Sequence, residues 1–199
     1  MKVLTVFLSA LALLFPRCSF AQAGSSAPAI RSLSTLPDVP PALRPSPELV
    51  IRQADGKQLL LSNFRGRVVA LVFLQTNCPV CQEVSRVFAR LSSEFGARGF
   101  QPLGVAFNPK ADFSVAEFSK KSGANFPIGA SSLEEVMKYL GLPSSQRFNI
   151  PQIVWIDRDG NIRAQTPALE MESDLMLTET YWRNMIGTLL NEAGNARKN

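Results

Sequence analysis

LVFLQTNCPVCQEVSRVF, residues 71–88, places two cysteines, Cys78 and Cys81, where one hydrophobic pattern gives way to another. Ahead of them RVVALVFL, residues 67–74, is an almost unbroken apolar and β-branched run. Such a run fits a central strand buried on both faces. A buried helix is the competing reading. Gly66 before the run and the polar Gln75-Thr76-Asn77 after it favour the strand. Behind the cysteines Val80, Val84, Val87, Phe88, Leu91 and Phe95 recur at helical spacing, predicting a helix from 79 to about 97, ended by Gly96 and Gly99.

The junction decides the chemistry. Proline suits the first position of a helix, whose N–H has no intrahelical partner, so Pro79 makes Cys78 the N-cap. The Cys78 sulfur then faces free backbone N–H groups and the positive end of the helix dipole, a setting for an attacking thiolate. Cys81 shares a face with Val84 and Phe88 and points inward. Cys78 is therefore expected to attack and Cys81 to resolve the mixed disulfide. A plain structural disulfide is the alternative. So short a loop would contribute less than the roughly 3 kcal/mol of a 15-residue loop, and the strand-to-helix position favours redox work.

The chain has 199 residues and no histidine, which excludes Ser–His and Cys–His catalysis. Two thiolates without further Cys or His also make a poor tetrahedral zinc site. No metal and no cofactor is expected. The dithiol is left with redox chemistry, or with weak two-coordinate binding of a soft metal.

The third cysteine, Cys18, falls in a stretch with the marks of a secretory leader. Lys2 supplies a positive start, residues 3–15 an apolar core, and Ala21-Gln22-Ala23 a cleavage site. An uncleaved anchor is the weaker reading, because spanning a bilayer takes about 20 apolar residues. Pro16 and Arg17 argue against a lipoprotein site at Cys18. Cleavage near Ala23 implies a periplasmic or secreted protein, where disulfides persist. The remaining 176 residues make one domain and a tail, and losing Lys2 and Arg17 lowers the net charge from +5 to +3. The charges are mixed in sign, as on a solvated surface, and no nucleic-acid partner is expected.

Residues 24–47 carry Pro28, Pro37, Pro40, Pro41, Pro45 and Pro47, and are expected to form a linker with neither helix nor sheet ladder. Order is expected from Glu48. ELVIRQADGKQLLLSNF, residues 48–64, reads as a hairpin turning at Asp55-Gly56. Residues 100–107 read as a second buried strand. Two capping boxes, Ser114 with Glu117 and Ser132 with Glu135, predict two helix starts. The second helix stops at Gly141 with Pro143 beyond. PQIVWIDRDGNIRAQT, residues 151–166, reads as a hairpin turning at Asp159-Gly160. A last helix sets Trp182, Met185, Ile186, Leu189 and Leu190 on one face, before a polar tail, 191–199. The expected organisation is leader 1–23, linker 24–47, domain 48–190 and tail. Strands alternating with helices predict an α/β mixed sheet with helices on both faces. Its site would lie at the carboxyl edge of the strands.

DGKQLLLSNFRGRVVALVFLQTNCPVC, residues 55–81, followed by IPQIVWIDRDGNI, residues 150–162, resembles the TlpA/ResA-like branch of the thioredoxin superfamily, with kinship to the AhpC/TSA redoxins. The resemblance covers about 48–190. It implies a thioredoxin-like fold with an N-terminal β-hairpin and a central helical insert near 114–142. It implies an extracytoplasmic thiol–disulfide oxidoreductase with Cys78 and Cys81 as its catalytic pair. It also implies that Pro151 is cis and faces the dithiol, with Ile150 the backbone contact for partner peptides. Asn77 and Pro79, which flank the first cysteine, complete the expected substrate-binding set. The implied partners are disulfide-bearing periplasmic proteins and a membrane thiol–disulfide electron donor, served by a monomer.

The sequence departs from that pattern at three places. Asn77 stands where an aromatic residue usually precedes the first cysteine, and Val72 where thioredoxins carry an acid. Val84 occupies the place of a Glu found in many TlpA-like proteins, while Glu83 lies on another face. No obvious buried carboxylate remains to manage the proton of the resolving cysteine. A peroxiredoxin-like thiol peroxidase is the second reading. That pattern calls for Thr or Ser three residues before the attacking cysteine and Pro seven before, and this chain has Gln75 and Leu71. A copper chaperone on the same fold would use a C-x-x-x-C spacing and a histidine, and neither is present.

Overall fold

The computed structural model describes residues 44–169 and 176–196; the expected leader and most of the linker fall outside them. Strand β4 (Val68–Leu74) is the centre of the molecule, buried at every position. Its side chains alternate between two cores. Val68, Ala70, Val72 and Leu74 enter one, and Val69, Leu71 and Phe73 the other. A strand buried on both sides has no polar face, so the sequence shows an unbroken apolar run instead of alternation.

Helix α1 (Pro79–Phe95) follows β4 and buries Cys81, Val84, Ser85, Phe88 and Leu91. It leads to β5 (Phe100–Ala106), parallel to β4 in register Val68↔Phe100 through Leu74↔Ala106. Gly99 makes the turn between them at φ 102, a conformation natural to glycine. Helix α2 (Ala111–Ser122) then crosses to β6 (Ile128–Ala130), parallel to β5.

The hairpin of β2 (Val50–Arg52) and β3 (Gln58–Leu60) forms as expected, and it joins the same sheet through Arg52↔Ala130. Gly129 permits that junction, since a Cβ there would meet the Arg52 carbonyl at 2.4 Å. Helix α3 (Leu133–Leu140) lies on the second core. Strands β7 (Gln152–Ile156) and β8 (Asn161–Gln165) form the second hairpin, with β7 antiparallel to β4. Helix α4 (Glu179–Ala196) returns to the first core through Trp182, Met185, Ile186, Leu189 and Leu190. With β1 (Arg44–Pro45) the sheet of the described residues has eight strands in the order β1-β8-β7-β4-β5-β6-β2-β3. Helices α1, α2 and α4 cover one face and α3 the other.

Four expectations need correction. The proline-rich segment was expected to make no ladder and order to begin at Glu48, yet Arg44 and Pro45 pair with Ile162 and Asn161. Proline is tolerated on an edge strand, where its missing N–H faces outward. Arg44 fastens this strand by donating to the Tyr139 carbonyl at 2.9 Å. The insert at 114–142 is not helical throughout, since β6 interrupts it. Three residues carry too short a pattern to read. The polar tail is helical as far as Ala196.

The fourth correction concerns Ser114. The Ser132–Glu135 box is present in both halves, the Ser132 hydroxyl accepting the Glu135 N–H and the Glu135 carboxylate the Ser132 N–H. The Ser114–Glu117 box is not. Helix α2 begins four residues earlier, its N-cap is Lys110 at φ 60, and no side chain caps it. A good cap is worth about 1 kcal/mol. A left-handed non-glycine residue costs about 1–2 kcal/mol. Helix α2 therefore starts at a local disadvantage on both counts.

Candidate active site

Cys78 and Cys81 lie at the carboxyl end of β4, where the sheet hands over to α1. A turn closed by the Cys78 N–H on the Gln75 carbonyl, at 3.1 Å, brings the chain out of the strand. Cys78 is the N-cap of α1, with extended backbone and Pro79 directly after it. Its sulfur accepts the Cys81 backbone N–H at 3.1 Å, as a capping side chain does. Negative charge on Cys78 thus has a backbone donor already aimed at it. Both cysteines are free thiols, Cys78 partly exposed and Cys81 fully buried. Burial pushes the Cys81 thiol well above the ordinary range, and the hydrogen bond and charge of Cys78 push the same way against a backbone hydrogen bond from Gln75.

Asn77 and Pro79 are exposed on either side of Cys78. The Ile150–Pro151 bond is cis. The register of β7 on β4 ends at Phe73↔Gln152, so Pro151 stands one step further, level with Leu74 at the dithiol's end of the sheet. Pro151 is buried, and half-buried Ile150 packs on the core that holds Cys81 and against which Cys78 also rests. The structure brings all six expected residues to one edge.

Other residues at this edge escaped the sequence reading. Gln152, although 1% exposed, donates to the Asn149 and Pro167 carbonyls at 2.8 and 3.3 Å. Asn149 in turn donates its N–H to the Ala168 carbonyl at 2.8 Å. These bonds hold the loop before Pro151. A glutamine opening an apolar strand was the available signal. On the other side of the dithiol, Asn108 follows β5 and clasps Thr76. The Thr76 N–H donates to Asn108 Oδ1 at 2.9 Å, and Asn108 Nδ2 donates to Thr76 Oγ1 at 3.0 Å. The Ser114 and Thr76 hydroxyls share a bond of 2.8 Å. No sequence signal links residues 32 and 38 positions apart.

The nearest arginine on α1 is engaged elsewhere. Arg86 pairs with Glu83 and donates to the Lys121 carbonyl. Among the described residues no three His, Cys, Asp or Glu side chains gather to hold a metal. No helix among them is long and apolar enough to cross a membrane.

The sheet, its helices and the cysteine pair at a helix start define a thioredoxin-like protein. The solved thiol:disulfide interchange protein, thioredoxin family protein, of Chlorobium tepidum TLS has the same fold, with a TM-score of 0.61 and 21% identity over 77% of this chain and 99% of that one. The chain belongs to the AhpC/TSA family, whose profile matches residues 43–165. The thiol-disulfide oxidoreductase ResA of Bacillus thuringiensis subsp. konkukian is 25% identical over 117 residues, 59% of this chain. The chloroplastic peroxiredoxin Q of Oryza sativa subsp. japonica is 26% identical over 121 residues, also 59%. The match spans 64% of the length of the first relative and 55% of the second. The likeness to the TlpA/ResA-like branch of the thioredoxin superfamily, read from the residues, holds.

The asymmetry of the two thiols has a direct test. When the reduced protein meets a limiting thiol reagent near neutral pH, alkylation should fall on Cys78, with Cys81 modified at least about tenfold more slowly, as exposure and thiolate character dictate. Peptide mapping that finds Cys81 modified first reverses the two roles. The buried thiol also bears on stability. A folded-state pKa raised above the unfolded value stabilises below the unfolded value, and that contribution is lost as pH rises. Reduced protein should accordingly weaken as pH climbs past about 8.5, where Cys81 of the unfolded chain ionises first. Cys81→Ser should flatten that slope in urea titrations.

Proposed function

We propose that the protein is an extracytoplasmic thiol–disulfide oxidoreductase that reduces or exchanges protein disulfides through Cys78 and Cys81. The observation that carries the reading is the division between the two sulfurs. One is partly exposed at a helix N-terminus with a backbone N–H on it, and the other is buried directly behind it. The Cys78 thiolate attacks one sulfur of a partner disulfide. A Cys78–partner disulfide forms, and the partner's other sulfur leaves and takes up a proton. The Cys81 thiol gives up its proton and attacks Cys78. This closes the Cys78–Cys81 disulfide and releases the partner's second sulfur as a thiol, so two electrons have passed to the partner. A donor dithiol restores the pair by the reverse exchange, and a membrane protein of that chemistry fits the location. The ResA relative supports the activity, and the leader-like pattern of residues 1–23 supports the compartment. Asn77, Pro79, Ile150 and Pro151 are proposed as the partner-contacting rim.

The peroxiredoxin Q relative favours a second reading, a thiol peroxidase. Fast peroxide chemistry needs donors arranged around the peroxide and the attacking sulfur. The hydroxyl nearest to Cys78 in sequence, on Thr76, is bonded to Asn108 and Ser114 instead. One comparison separates the readings. The reduced protein should reduce insulin disulfides, while stopped-flow oxidation by hydrogen peroxide should stay within about tenfold of an ordinary thiolate. Rapid oxidation with little insulin reduction would establish the peroxidase and overturn the oxidoreductase.

A further inference from the structure

Helix α2 breaks three local rules, and two of the breaks, at Asn108 and Ser114, lead to one place. Asn108, two residues before the N-cap, is a preferred capping type, yet its side chain turns away from α2 and grips both the N–H and the hydroxyl of Thr76. Ser114 opens a capping-box pattern, yet its hydroxyl also goes to Thr76. Lys110 sits at φ 60, the single left-handed non-glycine residue among the described residues, and its carbonyl accepts the Phe113 N–H at 3.1 Å. Natural sequences are locally consistent except where a site asks otherwise, so converging departures mark what they converge on. Thr76 is the second residue of the turn that Gln75 and Cys78 close. It stands two residues ahead of the attacking sulfur.

We infer that Asn108, assisted by Ser114, is a positioning residue for Cys78. This rests on the reading of Cys78 as the attacking thiol. The Asn108 amide is bidentate on Thr76 and fixes that residue at two points, and Ser114 adds a third. With the turn held from outside, Cys78 enters α1 at the angle that puts its sulfur on the Cys81 N–H. The aromatic residue expected before the first cysteine is absent, and Asn77 is exposed. The loop is therefore held from β5 and α2. The insert is not a passive addition, because it carries one of the three contacts.

The test compares wild type with Asn108→Ala, Asn108→Asp and Ser114→Ala. The readouts are the rate of Cys78 alkylation at neutral pH, the equilibrium of the dithiol with a glutathione couple, and thermal stability. Asn108→Ala should slow alkylation about tenfold, as small displacements of a reacting group do. It should also tilt the equilibrium toward the disulfide, because the reduced form loses its support. Asn108→Asp keeps an acceptor for the Thr76 N–H and should recover most of the rate. Ser114→Ala, which removes one hydroxyl, should slow it about threefold. A fall in stability with wild-type alkylation and wild-type equilibrium in both alanine variants would show a purely structural bracket and overturn the inference. Should Asn108→Ala fail to fold, the Ser114→Ala rate decides by itself. Alkylation needs no partner protein, so a wild type that cannot reduce insulin sinks the proposed function and leaves this measurement standing.

Discussion

Cys78→Ser should lose at least about 10³-fold in disulfide-reducing activity, whereas Cys81→Ser should stall with a partner covalently attached. The two losses differ because the proposed mechanism gives the two sulfurs different work. A serine hydroxyl at the N-cap still accepts the Cys81 N–H, so α1 keeps its cap, and only the nucleophile is gone. A serine at position 81 leaves the attack intact and removes the sulfur that would free the partner. Incubating Cys81→Ser with an insulin-like disulfide should build up a mixed disulfide that survives denaturation and dissolves in dithiothreitol. The adduct should map to Cys78. Full turnover by Cys81→Ser would show that a thiol outside this pair resolves the intermediate. Adduct formation by Cys78→Ser, Cys81 acting in its stead, would remove the basis for assigning attack to the N-cap sulfur.

Much of the site was legible because its determinants are local. An apolar β-branched run, a proline at a helix start and a 3.6-residue pattern each act over a few residues, and together they place Cys78 at a cap and Cys81 inside. The Ser132 cap was legible for the same reason. Illegible parts depend on distant residues. The same short pattern at Ser114 failed because α2 already begins at Ala111, which puts Ser114 inside the helix, its hydroxyl on Thr76, 38 positions away, and near the Ala111 carbonyl. Strand β6 failed because three residues cannot show a period, and its pairing with β5 and β2 is settled by tertiary context. Pro45 reads as a ladder breaker until the edge position of β1 is known. Gln152 and Asn108 are ordinary polar letters in the sequence, and only the fold aims them at the loops that flank the dithiol.

The dithiol also depends on a packing centre two turns further along the same helix, and Phe88→Ala should be the most damaging core substitution near it. Phe88 is fully buried. Its ring stacks on Trp182 of α4 with centroids 4.7 Å apart, and tilts against Trp155 of β7 at 6.0 Å. One side chain thus ties the dithiol helix to the C-terminal helix and to the strand that follows Pro151. Truncation removes its burial and leaves a cavity that two indoles and Phe100 are too rigid to fill, a loss of about 3–5 kcal/mol. For a domain of this size that lowers the melting temperature by roughly 6–20 °C. Because net stability is only about 5–15 kcal/mol, part of the population should unfold near physiological temperature. In the fraction that stays folded, Cys78 should keep its alkylation rate, since Pro79 and the Cys81 N–H act within the first turn and the Asn108 clasp acts on the loop just before it. Urea unfolding measures the stability and limiting alkylation the chemistry. A destabilisation under about 1 kcal/mol would mean that the aromatic cluster closes over the gap and that α1 is held mainly by its other contacts.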